Sequence, residues 1–294
     1  MADALLPTSL RPGLYSSVAD TPREDLLKAY REFLEQRNGD MDFTKGFSRR
    51  EAWLGEAASW EARFAGAVDA ESFNRAYTDF GEVKNLPLPV LALLTFVKAN
   101  AGEAYGVEVV NRVRQKRQDS TQLFHQIERL LSYEETYHTR ILIGATQHFG
   151  VQVKGAWKPN LQLRLLIGTL AYAPGVFFHP ILLASEISGV FVFQWMLKRV
   201  GEIFRDQPAV RESMEQRLTE ILVDEVGHVA FNRMAVGARG LAAARSMAPG
   251  VMRGVIGTTP EYRALGFDEN VLKEMERFDL HHLPEEVRRR SYFV

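Results

Sequence analysis

Glu134-Glu-Thr-Tyr-His138 and Asp224-Glu-Val-Gly-His228 decide how this chain is read. In each stretch a Glu precedes a His by three residues: Glu135 with His138, and Glu225 with His228. Positions i and i+3 of an α-helix share one face, so both side chains can reach one metal ion. One Glu-x-x-His is a weak signal on its own. Two of them, each on an apolar helical stripe, say more.

Two such helices, each paired with a helix that supplies one further Glu, make a carboxylate-bridged two-metal site. The order Glu, Glu-x-x-His, Glu, Glu-x-x-His runs over roughly residues 89–236. In that order the chain resembles the ferritin-like non-haem di-iron carboxylate proteins. The resemblance implies an all-α fold: a ferritin-like four-helix bundle with additional flanking helices.

The two remaining carboxylates follow from hairpin symmetry. Residues at one level of an antiparallel hairpin are about equally far from its turn. Glu186 lies twenty residues before Asp206 and Glu225 nineteen after it, in a chain with a turn signal at Asp206-Gln207-Pro208. Glu186 is also the only acidic residue between Glu135 and Glu202, and it sits among Leu182, Leu183, Val190 and Phe193. An unpartnered carboxylate there would be costly. Glu103 and Glu135 each lie sixteen residues from Asp119, beside Ser120, and Glu103 shares a stripe with Phe96, Ala99, Val107 and Val110. Glu108 is the rival, but it is less symmetric about that turn and lies off the stripe. The expected ligand set is Glu103, Glu135, His138, Glu186, Glu225 and His228.

The rest of the sequence fits a globular helical protein. The chain has 294 residues, 46% hydrophobic and 25% charged, with a net charge of -1. That balance gives no reason to expect a nucleic-acid partner. The absence of cysteine excludes disulfides, thiolate zinc sites, iron–sulfur clusters and a Cys nucleophile. A metal must then be held by His and carboxylate, which suits iron or manganese. Met1 to Arg11 lacks the pattern of a signal peptide, so a cytoplasmic location is expected. Leu165 to Ser185 carries no formal charge and is long enough to span a bilayer. Pro174, Gly175, Pro180 and His179 interrupt it, and a core helix hydrophobic all round reads the same way. The expectation is a core helix and no membrane.

The pattern is helical almost throughout, with no convincing strand. A helix is expected from Asp20-Thr21-Pro22 to Asn38-Gly39, a second over about 48–67 and a third over about 70–80. Two long hairpins follow: about 89–116 returning to about His148, and about 180–205 returning to about Val236. Residues 150–160 read as a linker. The tail from Gly240 looks mixed, with a helix over about 269–278. The whole chain is read as one domain, with its core over about 89–236 and flanking helices over 20–80 and 240–294.

The resemblance also assigns roles. In the family's oxygenases, the acid before each motif Glu accepts a hydrogen bond from the metal-bound His of the opposite motif. That implies Asp224 behind His138 and Glu134, a longer variant, behind His228. It fixes the tautomer and the ring direction. The implied cofactor is two iron ions, or an iron–manganese pair, with dioxygen as co-substrate. The implied activity is hydroxylation, N-oxygenation or desaturation of a small, largely apolar organic substrate. Electrons would come from an external donor, and a homodimer is compatible with the reading. One departure stands out: arylamine N-oxygenases of the family carry an extra His ligand where this chain has Ile221. The alternatives are a ferroxidase or peroxide scavenger, a ribonucleotide-reductase-small-subunit-like oxidase with Tyr292 as its tail tyrosine, and a bundle used only for interactions. His179, two turns before Glu186, is a candidate pocket residue. Among Phe177, Phe178, Phe191, Phe193 and Trp195, most belong to the core and some could line a pocket.

Overall fold

The computed structural model describes residues 13–16, 18, 21–59, 66–79, 85–114, 120–151, 153, 159 and 161–294. They form twelve α-helices and one small hairpin, so the fold is all-α. α1 (Arg23–Asn38) ends as its sequence suggests: Gly39 takes φ 76°, a left-handed value that favours glycine, and its N–H caps the Glu35 carbonyl. The expected cap at Asp20 lies outside the described residues. Two strands, β1 (Met41–Asp42) and β2 (Gly46–Phe47), then pair antiparallel. This corrects the expectation of no strand; two residues per strand are too few to show an alternating pattern. α2 (Ser48–Ser59) and α3 (Ala70–Asp79) follow, and the expected extension of α2 beyond Ser59 lies outside the described residues.

The centre is built from α4 (Leu88–Val113), α5 (Leu123–His148), α7 (Gly175–Ile203) and α8 (Pro208–Ala235). α4 packs on α5, α5 on α8, α8 on α7 and α7 on α4, so the four close a ring. Pro208 opens α8 at a position where its missing N–H costs nothing. α7 starts five residues earlier than the sequence suggested, at Pro174-Gly175, and carries Pro180 in its second turn. One backbone hydrogen bond is lost there, and packing against α8 and α9 carries the helix through it.

α7 is long and apolar enough to cross a membrane, but 56% of its most apolar window is buried inside the protein. Leu183, Ala184, Ile187 and Val190 are 0–1% exposed. This is the pattern of a core helix. α6 (Leu161–Ala171) takes up the first part of the uncharged run and leaves Leu161, Leu165 and Leu166 exposed, alongside Val176 and Phe177 at the start of α7.

The tail corrects a second expectation. α9 (Ala238–Thr258) is one continuous helix through Pro249, Gly250, Gly254 and Gly257, where the sequence read as mixed. Its packing along α7 overrides the poor propensity of those residues. α10 (Glu261–Ala264) touches α4, α11 (Glu269–Glu276) touches α9, and α12 (Glu285–Arg290) touches α8.

Candidate metal centre

Each of the four central helices brings its expected ligands to one level. Ligand atoms of Glu103, Glu135, His138 and Glu225 lie within 4.8 Å of one another, as do those of Glu135, Glu186 and His228. Glu135 belongs to both groups. One of its oxygens is 3.1 Å from His138 Nδ1 and the other is 3.0 Å from His228 Nδ1. Its carboxylate therefore lies between the two imidazoles, whose rings stack 5.7 Å apart. Glu225 Oε1 is 3.3 Å from His138 Nδ1, and Glu186 Oε2 is 3.9 Å from His228 Nδ1. Donors that surround one ion at roughly 2.0–2.2 Å keep about this distance from each other. Glu108 is excluded from the cluster: it is exposed and pairs with Arg112 on the outer face of α4.

Both histidines face the cluster with Nδ1 and are held from behind through Nε2. His138 Nε2 lies 3.2 Å from Asp224 Oδ2, and His228 Nε2 lies 3.2 Å from Glu134 Oε2. The crossed pairing between opposite motifs is the one the resemblance implies. A proton on Nε2 leaves Nδ1 to bind a cation.

Behind these acids sits a network that the sequence did not reveal. Asp224 accepts from Arg37 and Arg50. Glu134 accepts from Asn38 at 2.8 Å and from Arg50 at 3.3 Å, while Asn38 accepts from Arg50 Nε at 2.7 Å. Glu220, one turn before Asp224, accepts from Arg37 and Arg290. Asn38 is fully buried; the sequence reading treated it only as a helix end. These cations come from α1, α2 and α12, and no local spacing connects them to the motifs.

The charges show what the cluster lacks. Burial, reinforced by Glu135 and Glu225, raises the Glu103 carboxyl well above the usual range. Burial, with Glu225, does the same to Glu186. Burial opposes a charge on Glu135, but His138 and His228 outweigh it and bring its carboxyl down to about 2. Both imidazoles are raised well above the ordinary His range: burial opposes this and the surrounding carboxylates prevail. Glu103, Glu186 and both imidazoles therefore favour protons unless another cation is at hand. Glu225 Oε1, almost wholly buried, has no hydrogen-bond partner among the described residues, although it lies close to His138. Hard oxygen and imidazole donors around a concentrated negative charge fit two divalent ions of the iron or manganese kind.

A cavity of about 800 Å³ opens onto the cluster. Glu103, Glu135, Glu186, Glu225 and His228 form part of its wall, and the rest is mostly apolar. It is open along one side, where Leu166, Ser185 and Gly254 line it and are exposed. Phe178 and Phe193 line it, whereas Phe191 packs against Phe267 and Phe278. His179 is not in the wall. It packs edge-on against Phe124 and Phe178, at 5.8 and 5.3 Å between ring centres. Ile221 is fully buried, and the two candidate ligand groups contain no third histidine. Tyr292 is buried, and its hydroxyl donates to the Leu26 carbonyl at 3.1 Å.

No protein-family model, curated protein or solved structure matches this chain. Its function is read from the site itself.

Proposed function

We propose that this chain is a ferritin-like di-iron oxygenase, with a four-helix bundle formed by α4, α5, α7 and α8. It would use dioxygen to oxidise a small, largely apolar organic substrate. The observation that carries the reading is a shared wall: five of the six candidate ligands also line the apolar cavity. A protein that only stores or oxidises iron needs a hydrophilic path for the ion, and this lining is mostly apolar.

Glu103, Glu135, Glu186 and Glu225 supply four negative charges against the four positive charges of two divalent ions. Glu135, with one oxygen toward each imidazole, would serve both ions. Asp224 and Glu134 keep the His138 and His228 rings turned inward; Arg37 and Arg50 hold Asp224 in place, and Arg50 holds Glu134. Burial pulls against the Asp224 charge, but these arginines hold its carboxyl well below the usual range. The cavity holds the substrate beside Glu103 and Glu186 and limits water there. When bound, the metal pair would supply dioxygen reduction and the oxidising power; electrons come from a separate donor.

The test is anaerobic loading with ferrous iron, followed by elemental analysis and oxygen uptake with a reductant. About two metals per chain are expected. Oxygen consumption should rise when an apolar substrate is added. A folded protein that binds no metal overturns the reading. Metal uptake with oxygen consumption that no organic compound changes would move it to iron handling.

A further inference from the structure

Among the described residues, seven large hydrophobic side chains are exposed, and six of them fall within residues 161–177: Leu161, Leu165, Leu166, Tyr172, Val176 and Phe177. Each of the six is 55–77% exposed. Scattered apolar residues on a surface need no cause; a group confined to one helix and the corner after it does. Leu163, Ile167 and Leu170 of α6 line the cavity, while Leu161, Leu165 and Leu166 turn outward, so the helix is apolar on both faces. A helix that is apolar all round is normally buried all round. α6 packs on α4, and Arg114 ties down its C-terminal end through the Ala171 and Ala173 carbonyls. Nothing among the described residues covers the outer leucines.

The same face lacks carboxylates. The chain has 37 acidic residues, yet none lies in residues 136–185, which hold α6 and the start of α7, or in residues 226–260, which hold α9. Basic residues are not missing there. The first stretch includes Lys154, Lys158 and Arg164, and the second includes Arg239, Arg245 and Arg253. α9 borders the opening of the cavity, since Ser246, Gly250 and Gly254 line it and are exposed. Arg253 lies one turn after Gly250 and reaches Glu269 only at 3.9 Å, with both side chains largely exposed, a pair too loose to cancel its charge. Leu166 belongs both to the apolar patch and to the open side of the cavity.

We infer that this face docks on an anionic lipid bilayer. α6 lies along the surface with Leu161, Leu165 and Leu166 among the acyl chains, Tyr172, Val176 and Phe177 anchor the corner, and Arg253 sits beside the headgroups. Interfacial helices bind in this way, by buried apolar area together with attraction to negative headgroups. A second copy of the chain fits the face less well. In a two-fold dimer a patch meets itself, so arginines would face arginines with no carboxylate from either stretch to pair them. α7 remains a core helix and spans nothing; only the expectation that the chain meets no membrane is set aside. The opening of the cavity then faces lipid, and an apolar molecule can enter without crossing water. Docking needs no metal, so it stands or falls apart from the proposed oxidation.

Flotation of the full chain with vesicles tests the inference. The vesicles are phosphatidylcholine alone, or equal parts phosphatidylcholine and phosphatidylglycerol. The protein should partition at least about 10-fold more strongly onto the mixed vesicles. Added salt should erode that preference. Leu165→Asp should lower binding about 10-fold or more, the scale of one leucine side chain withheld from an apolar phase. Leu165 is exposed, so the variant should keep the helix content of the wild type. If it does not fold, Phe177→Ser carries the test with a loss of the same sign. Leu88→Asp removes the seventh exposed hydrophobe, at the start of α4 and outside the patch, and should bind like the wild type. Failure to bind either vesicle, equal binding to both, or equal losses from Leu165→Asp and Leu88→Asp overturns the inference. So does a dimer in analytical ultracentrifugation that Leu165→Asp dissolves while neither vesicle is bound; that result gives the face to a second copy.

Discussion

His138 Nε2 lies 3.2 Å from Oδ2 of Asp224, the residue directly before the motif glutamate on the facing helix. The contact ties the ring direction of one motif to the chain of the other. Asp224→Asn keeps an acceptor for the ring but removes the charge that faces Arg37 and Arg50. Metal affinity, measured by competition with a chelating dye, should fall roughly 10–100-fold. The metal-free protein should also melt at a lower temperature, because two arginines lose their shared counter-ion. Unchanged affinity would show that Asp224 does not orient the ring.

Membership of the two ligand groups gives different stoichiometries for different losses. Glu103 belongs to one group and Glu186 to the other, while Glu135 belongs to both. Glu103→Ala and Glu186→Ala should each leave about one metal per chain, and Glu135→Ala close to none. Elemental analysis after identical loading and desalting decides it. Equal losses in all three variants would mean that the carboxylates form one undivided site.

Lys98 and Glu261 form a buried ion pair between α4 and α10. Lys98→Met strands a buried carboxylate and should cost about 3–5 kcal/mol in urea denaturation. The double variant Lys98→Met, Glu261→Gln should recover much of that loss. If the double variant is as unstable as the single one, the cost lies in packing and not in charge.

Tyr30 is fully buried, and its hydroxyl has no hydrogen-bond partner among the described residues. An unmet hydroxyl costs about 1–3 kcal/mol, so Tyr30→Phe should leave the protein as stable as the wild type or more so. Gly227→Ala forces a methyl against that hydroxyl and should destabilise by about 1–3 kcal/mol. Thermal denaturation of the two single variants and the double variant checks both statements. A loss on Tyr30→Phe would mean that the hydroxyl is bonded in solution.

What the sequence could reveal was periodic. Glu135 with His138 and Glu225 with His228 are local pairs, and hairpin symmetry extended them to Glu103 and Glu186; the structure brings all six together. The first turn used in that reasoning, at Asp119, lies outside the described residues. α9 was missed because Pro249, Gly250, Gly254 and Gly257 lower its intrinsic helicity, and only the surface of α7 makes up the difference. Arg37, Asn38, Arg50 and Arg290 were missed because each belongs to an element with its own local explanation: a helix end, an exposed-looking charge, a basic tail. Nothing in a one-dimensional pattern says that they meet.

The arginines behind Asp224 and Glu220 also impose an order of events on a chain made from its N-terminus. Arg37 and Arg50 are synthesised before either motif, while Arg290 comes sixty-two residues after His228. Glu220 accepts from Arg37 and Arg290 together. Until the last turn of α12 docks, every proposed ligand exists, yet the acid cluster that steadies His138 lacks one of its cations. The centre therefore matures only when distant parts of the chain have met, and a nascent or C-terminally clipped protein would carry all six ligands with a weaker grip on what they hold.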